Sequence, residues 1–139
     1  MRVLVDTNVI LDLFLEREPF VNDAEALFKA IETQQLGGFV TATTLTDIFY
    51  IVRKQRNREI AKQAIFRILT AMQVCTVDRS ILEAAISSQM PDFEDAIQLA
   101  CAMSENLDAI VTRDVQDFTR TNLPILSAGT LIARLSSLQ

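Results

Sequence analysis

Five residues of this chain could do chemistry together: Asp6, Asp47, Asp95, Asp114 and Asp117. The 139-residue sequence contains no histidine. That removes the commonest general base, the usual zinc ligand and every histidine-dependent triad. Carboxylates and hard divalent cations are the tools left for a hydrolase, and carboxylate oxygens suit Mg²⁺ or Mn²⁺. A cation held by such a set lowers the pKa of a bound water and offsets charge building on a phosphate.

The elements that must position these residues follow from hydrophobic periodicity. Arg2 to Val5 is a short strand ending at Asp6, and residues 9 to 16 follow at helical spacing. A second helix is predicted from Val21 to Gln35, with Ala24, Leu27, Phe28 and Ile31 inward and Gly37-Gly38 as its stop. Phe39 to Thr41 is a second strand, and Thr43 or Thr44 opens a helix carrying Asp47. Asn57 caps the next helix. Val74 to Val77 is a third strand, and Asp78 opens another helix. Pro91-Asp92 leads into a helix with Phe93, Ala96, Ile97, Ala100 and Met103 at core spacing. Ala109 to Thr112, continuous and rich in apolar residues, is the strongest strand. Pro124 to Leu126 is the last one, before a helix from about Ala128 to Leu135. Short apolar strands alternating with helices predict an α/β sandwich around a mostly parallel sheet, as one domain over residues 1–139.

Each acid, taken singly, is also where a helix cap belongs, and Thr44…Asp47, Asp92…Asp95 and Asp114…Asp117 have capping-box-like spacing. Taken together they have a second reading. In a parallel sheet the carboxyl ends of the strands share one edge, where ligand sites form. Caps on several helices converge only there, and like charges gathered so closely call for a cation between them. The net charge is −5; setting the five aspartates aside leaves 13 acids against 13 bases, so the proposed site accounts for the acidity.

Three segments carry a family resemblance: Val-Asp-Thr-Asn at Val5 to Asn8, Asp-Phe-Glu-Asp-Ala-Ile-Gln at Asp92 to Gln98, and Val-Thr-Arg-Asp-Val-Gln-Asp-Phe at Val111 to Phe118. Together they resemble a PIN domain, most closely the stand-alone bacterial proteins that include VapC-type toxins. The resemblance spans Arg2 to about Leu135. It implies a three-layer α/β/α sandwich, Rossmann-like in its short sheet, and a Mg²⁺- or Mn²⁺-dependent endoribonuclease. It also implies frequent homodimers and often a small antitoxin partner. On this alignment Asp6, Asp95 and Asp114 are acidic ligands, with Asp117 a neighbouring acid. Asn8 and Thr112 support them, and Asp92 belongs to the acidic turn before Asp95. Asp47 stands where the family usually has glutamate; one methylene shorter, it would ligate through water or accept the proton of the attacking water.

A basic stretch holds six of the thirteen basic residues: Arg53, Lys54, Arg56, Arg58, Lys62 and Arg67. It is either a grip on an RNA backbone or the solvated face of a helix. Tyr50 is expected at the core edge, and Met72, Met90 and Met103 in packing roles. Cys75 and Cys101 sit in apolar surroundings and are expected as buried free thiols of a protein of the cell interior. No apolar run reaches the ~18 residues that span a bilayer, and no signal peptide is expected. The rival readings are a PIN-like module that binds without cutting, a receiver domain, which would want a lysine after its last strand, and a haloacid-dehalogenase-type phosphatase, which would want an aspartate where Asn8 stands.

Overall fold

A computed structural model describes residues 1–118 and 121–137. Its five strands are β1 (Arg2–Val5), β2 (Gly37–Thr41), β3 (Gln73–Cys75), β4 (Ala109–Val111) and β5 (Ile125–Leu126). They form one parallel sheet in the order β3-β2-β1-β4-β5. Among the described residues seven helices accompany them: α1 (Thr7–Phe14), α2 (Val21–Glu32), α3 (Ala42–Gln55), α4 (Arg58–Ala71), α5 (Arg79–Ser87), α6 (Phe93–Ser104) and α7 (Ala128–Ser137). A 3₁₀ turn over Val115–Phe118, not foreseen from periodicity, buries Phe118.

Strand alternation divides the core. Val3, Val5, Val40 and Val111 face one layer, packed with residues of α1, α2, α3, α4 and α7. Leu4, Phe39, Cys75 and Ile110 face the other, packed with residues of α5 and α6. A strand covered on both faces must be apolar throughout, which is why Val3-Leu4-Val5 is apolar and Ala109-Ile110-Val111 was the strongest strand signal. The chain runs outward from β1 to β3, then returns to lay β4 on the other side of β1. The carboxyl ends of β1 and β4 are therefore the topological switch point.

Several expectations need correction. Gly37-Gly38 does not stop α2: the helix ends at Glu32, the Thr33 hydroxyl donates to Lys29 O at 2.9 Å, and Gln34 takes the left-handed turn at φ 65°. The glycines instead begin β2, where Gly38 lets the strand approach Ile31 of α2. Thr41 caps α3, accepting from Thr44 N at 3.1 Å, two or three residues earlier than expected. On α6 the buried stripe is Ala96, Ile97, Cys101 and Ala102, while Phe93 and Met103 are 47% and 59% exposed. The helix is rotated because small residues let it sit close to the sheet; Met103 rims a groove shared with Ser80 and Ala84 of α5. Tyr50 is likewise exposed. Cys75 and Cys101 are buried and free, and burial pushes their thiols up to about 12 and about 11. Among the described residues no helix is long and apolar enough to cross a membrane.

A methyl group at Gly38 would lie 2.8 Å from two Ile31 carbons, whereas one at Gly37 would meet Arg2 Cγ at an ordinary 3.4 Å. Gly38→Ala is expected to cost about 1–3 kcal/mol by overpacking, read by chemical denaturation. Gly37→Ala should cost distinctly less; equal losses would refute the close approach.

Candidate active site

Asp6 follows β1 directly and caps α1, its Oδ1 accepting from Thr7 N at 2.7 Å. Its backbone N–H continues the sheet to Val111 O at 2.9 Å. Gln98 Nε2 of α6 donates to Oδ1 at 2.8 Å, and Thr112 Oγ1, just past β4, donates to Oδ2 at 2.7 Å. Asp6, Gln98 and Thr112 are all buried. Three donors from three segments thus fix one carboxylate, leaving it lone pairs for a further partner.

Asp114 is held from two sides. Its backbone N–H donates to Thr112 Oγ1 at 3.0 Å, and its Oδ2 accepts from Asn8 Nδ2 at 2.9 Å. One helical turn beyond Asn8, buried Asp12 takes Arg113 Nε at 3.0 Å, and the Arg113 guanidinium lies over the Phe20 ring at 4.2 Å. Helix α1 therefore holds the turn after β4 at two points. Burial raises the Asp12 carboxyl while Arg113 and Arg17 pull it back.

Asp92 caps α6, accepting from Asp95 N at 2.9 Å, so Asp95 starts the helix with its side chain near Asp6, Asp114 and Asp117. Burial, then the charges of Asp92, Asp6, Asp117 and Asp114, push the Asp95 carboxyl up to about 7. Glu94 is pushed up to about 7 as well, by burial and then by its hydrogen bond and charge contact with Asp47. The Thr7 hydroxyl lies 3.3 Å from Glu94 Oε1 and 3.0 Å from Thr44 Oγ1, linking α1, α3 and α6.

These side chains line one open cavity of about 310 Å³: Asp6, Thr7, Asn8, Asp47, Asp92, Glu94, Asp95, Asp114 and Asp117, with Leu11 and Ile51 as its apolar wall. The structure brings together every acid singled out from the sequence. Asp6 and Asp92 are helix caps too, so the two readings coexist. Arg53, Lys54, Arg56, Arg58 and Lys62 lie elsewhere, exposed on the last turn of α3, the link and α4, and Arg67 pairs with Glu32 at 3.1 Å.

Sequence reading missed Glu94 and Gln98, although both lie in the quoted Asp92 to Gln98 segment. Glu94 matters most, because it places a longer carboxylate beside Asp47, where that side chain is short. Gln98 sits one turn after Asp95 in an otherwise apolar stripe, and a buried amide in such a stripe was the available signal.

The donor set is what a hard divalent cation takes: carboxylates alone, none of them in an ion pair with lysine or arginine among the described residues. Also among the described residues, no three acids are already spaced to hold one ion, so closing on a cation requires side-chain rotation.

Folding raises Glu94 and Asp95 from ordinary values of 4.5 and 3.8 to about 7. Between those limits the folded chain binds more protons than the unfolded one, so stability falls as pH rises through that window. In chelator, Tm should drop from about pH 5 to pH 8, and added Mg²⁺ or Mn²⁺ should restore it at the upper end. A Tm rising over the same range would contradict this balance of charges.

Thr112→Val keeps the shape of a fully buried side chain but removes the donor to Asp6 and the acceptor for Asp114 N. A loss of about 1–3 kcal/mol in urea unfolding is expected; an unchanged midpoint would show that Asp6 is held by other means.

Known proteins place this geometry in a family. A family model described as PIN domain matches residues 2–116. No curated protein sequence matches the chain. Among solved structures, a toxin–antitoxin complex from Klebsiella pneumoniae is similar with TM-score 0.69 at 21% identity, covering 91% of this chain and 97% of that one. DNA-bound VapBC from Salmonella typhimurium gives TM-score 0.68 at 15% identity, covering 92% and 98%. VapC20 from Mycobacterium tuberculosis, a sarcin–ricin loop cleaving toxin, gives 0.64 at 16%, covering 78% and 86%. At such identities the likeness is one of fold.

Proposed function

The chain belongs to the PIN domain family, and from that premise we propose that it is a Mg²⁺- or Mn²⁺-dependent nuclease hydrolysing RNA phosphodiester bonds. One observation carries the reading: carboxylates from four separate segments meet at the switch point of the sheet, with no basic partner among the described residues. Among the similar folds is a toxin named for cleaving the sarcin–ricin loop, and others were solved as toxin–antitoxin complexes. We therefore take the biological setting to be the toxin half of such a pair, with a small antitoxin protein as partner.

In this proposal Asp6, Asp95 and Asp114 hold the cation and Asp117 stands beside them. When bound, the cation supplies a water of lowered pKa and offsets charge on the phosphate. Gln98 and Thr112 keep Asp6 in a single orientation, and Asn8 does the same for Asp114. Glu94 and Asp47 share one side of the cavity; held near neutrality, Glu94 Oε1 is suited to take a proton from the attacking water. In-line attack leaves a 5′-phosphate and a 3′-hydroxyl. The basic stretch from Arg53 to Lys62 is proposed as a backbone grip. We also propose a single domain acting in the cell interior, consistent with two free buried cysteines. Two copies are proposed to pair through exposed apolar side chains such as Phe66, which is 77% exposed.

The test uses metal-stripped protein and a labelled single-stranded RNA. Cleavage should appear only with Mg²⁺ or Mn²⁺, and Asp95→Asn and Glu94→Gln should each lower the rate about a hundredfold or more. RNA bound but left intact under every metal would instead favour the binding module, which the short Asp47 and the lack, among the described residues, of a preformed ligand set also favour.

A further inference from the structure

Beside the acidic cavity lies a second one of about 370 Å³, walled by Gln89, Met90 and Pro91 of the α5–α6 connection and by Gln116 of the 3₁₀ turn. Asp92, Asp95 and Asp117 line both cavities, so the two are continuous through these three carboxylates. Resting on the nuclease reading, we propose that this second cavity is a base-binding subsite. It would receive the unpaired base next to the scissile phosphate and favour bases with an exocyclic amino group, guanine above all.

The wall chemistry selects that occupant. Among the described residues no lysine or arginine lines the cavity, so none of them draws a phosphate into it and away from the cation site. A purely apolar group would leave the Gln116 amide without a partner. A nucleobase satisfies both halves of the wall: its flat faces lie against Met90 and Pro91, and its edge meets polar groups. The Asp92 carboxylate, to which the nuclease reading gives no cation, only accepts hydrogen bonds when ionised, so it selects an edge that donates. Guanine offers two adjacent N–H donors on its pairing edge, adenine and cytosine an amino group each. Uracil offers a single N–H flanked by two carbonyl oxygens, which face the Asp92 carboxylate unfavourably. The Gln116 amide, with both donor and acceptor, can complete the edge of a guanine carbonyl. A strand laid across the acidic cavity must direct its next base somewhere, and continuity through Asp92, Asp95 and Asp117 makes this the adjoining space.

Two measurements on the intact chain test the subsite. In the first, guanosine and uridine, which carry no phosphate, are titrated against the unmutated protein and followed by NMR. Guanosine should shift the Gln116 side-chain amide and the backbone amides of Met90 and Asp92, and uridine should not. In the second, cut sites in a random single-stranded RNA are sequenced. A guanine preference at one fixed position beside the cut should fall about tenfold in Gln116→Ala while total cleavage persists. Both results together support the subsite. RNA cleavage with no base preference, and no guanosine shifts at these residues, overturns it and leaves the nuclease reading intact. Equal shifts with uridine overturn recognition of the amino group. Guanosine shifts at these residues without any RNA cleavage support the subsite and overturn the nuclease reading.

Discussion

The structure depends on where one carboxylate is fixed. Asp6 ends β1, caps α1, and is gripped by Gln98 from α6 and Thr112 from the end of β4. Those bonds tie the two central strands and one helix from each layer to one point. A buried carboxylate without them would be costly, since an unpaired charge in the interior is strongly penalised. With them, the charge is tolerated and its direction is set. Every other acid is placed relative to this point: Asp114 through Thr112 and Asn8, and Asp95 through the helix that also carries Gln98.

Two buried acids belong to α1, Asp6 at its cap and Asp12 within it, and they are treated differently. Asp12 is neutralised internally by Arg113 and, more distantly, Arg17. That pair serves the architecture, because Arg113 sits between Thr112 and Asp114 and its anchoring stiffens the turn that carries both. Asp6 and its neighbours, by contrast, have no such compensation among the described residues, and Glu94 and Asp95 respond by holding their protons up to about pH 7. A fold that spends an arginine on Asp12 and none on the cavity keeps the cavity's charge available for an external cation. Stability and activity are then set against each other at the same edge of the sheet.

Much of this was legible in the sequence. The apolar runs of β1 and β4 mark strands buried on both faces, and the acids after them mark the edge where the cavity opens. What escaped detection depends on tertiary rotation. Ala96 and Ile97 of the expected α6 stripe are buried, but the small residues Cys101 and Ala102 share the sheet-facing side, and the stripe's ends Phe93 and Met103 turn outward. The same rotation places Gln98 inward against Asp6 and Glu94 against Asp47. Neither contact has a signature in spacing alone, because each joins segments 92 or 47 residues apart. The glycines at Gly37 and Gly38 misled for a related reason: their value lies in letting a strand approach Ile31, a contact invisible in local pattern.

The exposure of Tyr50 joins the acidic edge to the basic stretch. Asp47, Tyr50, Ile51 and Lys54 are three, four and seven residues apart, so they follow one face of α3. Asp47 and Ile51 line the acidic cavity, while Tyr50 and Lys54 are exposed. Seven residues advance about 10 Å along a helix, a step short enough for one nucleic-acid strand to cover. A strand leaving the cavity along this face would meet an aromatic ring suited to stacking, then a cation suited to its backbone. Net acidity is thus no obstacle to a polyanionic substrate. On the proposed nuclease reading, the carboxylates gather where a cation would neutralise them, and Lys54 lies about two helical turns along α3 from Asp47.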